Sequence, residues 1–132
     1  MPLDRLRTPP DERLSGPVRF LDLAATAAAL RQEPHAGVSG HRQITVFRQG
    51  PVTVVCFAFD PLGSLKAHQT DGIVTILVVR GHLRVSAAGE LHDLRDGQMV
   101  GLAPSIPHSV EAVEASEMLL TVCKPTPASA PA

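Results

Sequence analysis

The sequence predicts an all-β fold, a sandwich or barrel of short strands with a single helix ahead of it. Three observations carry this. From Gln43 onward, short β-rich runs alternate with turn signals. Before Gln43 only one segment has helical spacing. Nowhere do strands and helices alternate, which excludes a dinucleotide-binding fold.

Residues 1–17 hold Pro2, Pro9, Pro10 and Pro17 among mixed charges. Proline fixes φ and removes a donor, so an extended or disordered arm is expected there. Residues 18–42 carry the helix and a connection. The helix is predicted over about 22–32, capped by Asp22, favoured by the alanine run and ended before Pro34. Leu23, Ala27 and Leu30 then share one face. The barrel is predicted over 43–124, with strands at 43–48, 52–59, 64–68, 73–80, 82–87, 91–94, 98–102, 106–113 and 117–123. Gly50-Pro51, the run 60–63, Asp71-Gly72, Gly81, Ala88-Gly89 and Asp96-Gly97 punctuate them. The run 73–80 is the most apolar and is predicted to be a central strand. Residues 125–132 read as a disordered tail.

At 132 residues the chain is one domain's worth. Twelve Lys+Arg against 13 Asp+Glu give a net charge of −1, which argues against nucleic-acid or membrane-surface binding through bulk positive charge. With no Tyr and no Trp, Tyr-based acid catalysis and Tyr or Trp stacking on bases are ruled out. No run approaches the ~18 apolar residues of a membrane span. The N-terminal residues lack the apolar core of a signal peptide. A cytoplasmic protein with Cys56 and Cys123 reduced is therefore expected. An immunoglobulin-like bridge between those cysteines would normally pack on a Trp, and this chain has none.

Six histidines hold most of the chemistry. His82 and His92 flank turns and read as surface residues, and His35 and His41 sit in a Gly- and Pro-rich connection. Glu111, Glu114 and Glu117 read as a solvated acidic edge, and Cys56 as an inert small hydrophobe. His68 and His108 differ in their surroundings. His68 lies in a segment running from Gly63 through Thr70 and Val74 to Gly81. His108 follows Asp96-Gly97 and the run Leu102-Ala-Pro-Ser-Ile-Pro-His-Ser-Val-Glu-Ala.

These two segments, in this order, resemble the two signature motifs of the cupin superfamily, over about residues 43–123. The likeness is closest to small single-domain bacterial cupins. It implies a double-sheet jelly-roll barrel, the double-stranded β-helix, with a central pocket. In metal-binding cupins the first motif supplies His-x-His and a Glu before a closing Gly. Here His68 and Gly81 match, while Thr70 stands for the second His and Val74 for the Glu. In the second motif His108 matches, and Ala103, Ser105 and Ala112 replace the Pro, Gly and Asn. Sugar-nucleotide epimerases on this barrel use a Tyr acid, so their mechanism is excluded.

Residues i and i+2 of a strand share a face, so His68 goes with Thr70, and Val74 with Ile76 and Val78. The expected site is a pocket lined by His68, Thr70, Val74, Ile76 and His108. No catalytic residue is assigned. The two imidazoles are the metal-ligand candidates, and Zn, Fe, Ni, Mn or Cu held by them would be held weakly, with water filling most positions. The expected function is binding of a small organic molecule at this degenerate two-His site. The alternative is a metal-dependent oxygenase or isomerase using His68 and His108. A homodimer through the N-terminal arm and the sheet edges is also expected, with no nucleic-acid or membrane partner.

Overall fold

A computed structural model describes residues 15–33 and 39–125. The expected tail, most of the arm, Pro34 and His35 lie outside the described residues. Among the described residues one helix, α1 (Leu23–Arg31), precedes nine strands. These are β1 (His41–Gln49), β2 (Val52–Phe59), β3 (Ser64–His68), β4 (Ile73–Arg80), β5 (His82–Ala87), β6 (Glu90–Arg95), β7 (Met99–Leu102), β8 (His108–Ala112) and β9 (Ser116–Cys123). They form two antiparallel sheets, ordered β1-β2-β9-β4-β7 and β3-β8-β5-β6. β4 is an internal strand between β9 and β7.

The core lies between the sheets because most inner-facing strand positions carry apolar side chains. Val55, Phe57 and Phe59 of β2 and Val74, Ile76 and Val78 of β4 meet Leu83, Val85, Val110 and Ala112 from the opposite sheet. β2 is buried on both faces. Its outward residues Cys56 and Ala58 are small enough for α1 to lie on them through Leu30, with Val46 beside it. Asp22 caps α1 as expected, its side chain accepting from Ala25 N at 3.1 Å. At the other end the Arg31 guanidinium donates to the carbonyls of Phe59 and Ser116, tying the helix to the sheet.

Three readings need correction. Glu117 is not a solvated edge residue but is 7% exposed. The β4–β9 register sets it opposite Arg80, which donates to it at 2.8 Å, and Arg31 lies 3.6 Å away. His82 is not a surface residue either. Its ring is buried with Nε2 2.7 Å from Asp93 Oδ1, and its backbone N–H donates to Ser116 Oγ. His41 belongs to β1 rather than to a connection, its ring 5.4 Å from those of Phe57 and Phe59. β8 is shorter than predicted and starts after Pro107, which has no N–H to give the ladder. Cys56 and Cys123 are both free thiols.

Candidate functional site

Side-chain alternation sets the inner face of each strand, and the registers then define one layer at an end of the barrel. Across the five-stranded sheet, Arg48 pairs with Thr53, Thr53 with Val122, Val122 with Val74 and Val74 with Leu102. Across the other sheet, His68 pairs with His108, and His108 with Ala87. A cavity of about 320 Å³ opens between these rows. It is lined by Arg48, Thr53, His68, Thr70, Val74, His108, Leu120, Val122 and Lys124.

His108 faces inward because Val110 and Ala112 of the same strand do. His68, itself exposed, lines the same cavity for a different reason. From Leu65, which packs on the core, simple alternation would turn residue 67 inward and His68 outward. A register irregularity between Leu65 and His68 places one extra residue in β3 and re-aims the side chain. The two rings meet with centroids 4.3 Å apart and planes at 59°.

Each imidazole is held by the carbonyl two residues before it. His68 Nδ1 lies 2.9 Å from Lys66 O, and His108 Nδ1 lies 3.0 Å from Ile106 O. A carbonyl only accepts, so Nδ1 carries the proton in both rings. In the neutral rings Nε2 then carries the lone pair. His108 is 3% exposed, and its Nε2 is buried without a hydrogen-bond partner. Buried polar atoms are rarely left so, and one in a cavity wall marks a place for a ligand atom.

Of the expected lining, His68, Thr70, Val74 and His108 stand at the cavity, and Ile76 does not. Ile76 lies one inner-facing step further along β4, fully buried in the core. The Thr70 hydroxyl is engaged locally, accepting from Gly72 N at 3.3 Å. Arg48, Thr53, Leu120, Val122 and Lys124 were not anticipated. The signal for Thr53, Leu120 and Val122 was the alternation of the runs 52–59 and 117–123, readable only once the two are paired.

The donor set does not fit a resident metal. It offers two imidazole nitrogens, with a locally engaged hydroxyl and a Val at the other positions. Among the described residues no group of three His, Cys, Asp or Glu stands together. Catalytic zinc sites usually keep three protein ligands and structural ones four.

Two curved antiparallel sheets around an apolar core, with a polar cluster at one open end, define a jelly-roll barrel. Neither a protein-family model nor a curated protein sequence matches the chain. Solved structures do. A cupin superfamily protein from Desulfitobacterium hafniense is 16% identical, with a TM-score of 0.68 over 86% of this chain and 96% of that one. A protein of unknown function from Streptococcus pyogenes is 24% identical, with a TM-score of 0.65 over 84% of this chain and 91% of the other. A variant of salicylate 1,2-dioxygenase from Pseudoaminobacter salicylatoxidans is 17% identical, with a TM-score of 0.72 over 92% of this chain but 38% of the enzyme. The fold is the cupin fold.

Proposed function

We propose that this protein binds a small polar organic molecule in the barrel mouth, with His68 and His108 as its hydrogen-bonding anchors. The observation that carries the reading is the buried, unpartnered Nε2 of His108, a residue that lines the cavity. A ligand O–H or N–H reaching that atom satisfies it, while Val74, Leu120 and Val122 supply an apolar wall. A few convergent polar groups on such a wall are the usual make-up of a small-molecule site. Thr70 orders the rim through its bond to Gly72.

The reading extends to assembly and location. Val18 and Phe20, 84% and 87% exposed ahead of α1, support a homodimer in which this segment packs on a second copy. The free thiols support a reducing, cytoplasmic setting. On this reading the pair gives transition metals only a weak foothold.

The test is His108→Ala with far-UV circular dichroism as the folding control. Hydroxyl-bearing fragments that bind the wild type should lose about 1–3 kcal/mol, the cost of stranding a buried partner. Equal binding in the mutant refutes the role of His108. Elemental analysis after dialysis against chelator supplies the second readout. A metal retained at full occupancy by three or more protein side chains would overturn the reading in favour of a metal-dependent oxygenase or isomerase.

A further inference from the structure

The charged side chains that line the cavity at the two histidines are cations. Among the described residues, Arg48 and Lys124 are its only charged lining residues apart from the titratable imidazoles. Neither side chain pairs with an acidic group among the described residues. One acidic group, Asp71, stands close by. It borders the adjoining cavity of about 430 Å³, which shares Arg48, Thr53 and Lys124, and it sits beside the Thr70 hydroxyl. The bias is not inherited from a basic chain. The net charge is −1, and Lys124 is one of only two lysines.

The polar groups are also ordered along the site. Only His108 is buried; His68, whose ring stands against it, is exposed, as are Arg48 and Lys124 at the ends of β1 and β9. Between them the wall is Val74, Leu120 and Val122. The inner end asks for a hydrogen donor, the middle for a short apolar body and the outer end for an anion. An exposed guanidinium matches a carboxylate in a two-pronged geometry, and a nearby ammonium adds attraction.

We infer that the site selects small hydroxycarboxylic acids, with the hydroxyl at the His68–His108 pair and the carboxylate at Arg48 and Lys124. This rests on the binding reading above and narrows it to one ligand class. Steering by the two cations also makes the association salt-dependent.

The experiment titrates γ-hydroxybutanoate and para-hydroxybenzoate, each beside its neutral methyl ester, into the full chain. The readout is the ring resonances of His68 and His108. Both acids should shift these resonances, and each ester should bind about tenfold more weakly, in keeping with a charge-assisted contact. Arg48→Gln and Lys124→Gln, both at exposed positions, should each weaken the acids several-fold and leave the esters unchanged. Acids and esters that bind equally, both shifting the imidazoles, would overturn the anion assignment and leave the histidine site standing. No shift of either imidazole with acid or ester would overturn both.

Discussion

Replacing His108 by Phe should stabilise the protein while destroying its binding site. Two terms decide the sign. The wild type buries an unpartnered acceptor at Nε2, a state that costs about 1–3 kcal/mol. The substitution removes that atom. It also removes the Nδ1–H bond to Ile106 O, a loss of about 0.5–1.5 kcal/mol, softened because Ile106 is only half-buried. The larger ring has room to extend into the cavity and keeps the tilted ring contact with His68. The net expectation is a gain of about 1 kcal/mol, or a Tm rise of about 3–5 °C for a chain of this size. With no Trp or Tyr, intrinsic fluorescence is a poor probe, so urea unfolding is followed by far-UV circular dichroism. His108→Ala, which opens a void, serves as the contrasting control and should destabilise. A loss of 2 kcal/mol or more in the Phe variant would mean that Nε2 already has a partner in solution, and the argument for the site would fall with it.

Gly81→Ala should cost about 3 kcal/mol or more, because φ is +115° and an added Cβ would press on the Cα and Cβ of Ser116. Urea midpoints read this, and a change under 1 kcal/mol would refute the geometry. Burial and the Glu117 carboxylate push the Cys56 thiol up to about 11, so only Cys123 should react with an aromatic disulfide reagent in the native state. Two rapid equivalents would refute that. Asp93 is held below its ordinary value of 3.8 by hydrogen bonds from His82 and Arg84. A lowered folded pKa stabilises fully above the unfolded pKa, and the contribution is lost as pH falls through the folded one. Asp93→Asn should therefore reduce stability at neutral pH and flatten the acid limb below about pH 4, as read from Tm against pH. An unchanged acid limb would remove the ion pair from the account.

The strands over 52–59, 64–68, 73–80 and 82–87 were legible to the residue because short runs end at Gly, Pro or Asp turns, and turn chemistry is local. The helix was legible because Asp22 both caps and bounds it. What escaped depends on register. Glu117 looks like its solvated neighbours along the chain, and only the pairing of β4 with β9 sets it against Arg80. The β1 residues His41 and Arg42 carry no strand signal, and Phe59 and Ala58 recruit them as partners. Alternation gave Ile76 the correct face but not its depth, and depth decides whether a side chain lines the mouth or fills the core. Arg48 and Lys124 stood at strand ends, where a cation is the commonest solvated residue.

The same logic explains why two motif histidines form a site without the rest of the motif's donors. In metal centres, a bond from the non-ligating ring nitrogen to a carbonyl or carboxylate orients the imidazole, and the ion completes the arrangement. Here each ring is fixed by the backbone just before it, through Lys66 O and Ile106 O, each two residues back. The β3 irregularity and the Pro107 boundary then bring the rings to 4.3 Å. None of these devices needs an ion. With Val74 opposite and no carboxylate among the described lining residues, the environment lacks the negative charge that would offset a divalent cation. Two backbone-anchored lone-pair acceptors against an aliphatic wall instead complement a ligand that brings its own hydrogen, and the cations at the rim complement a ligand that brings its own negative charge.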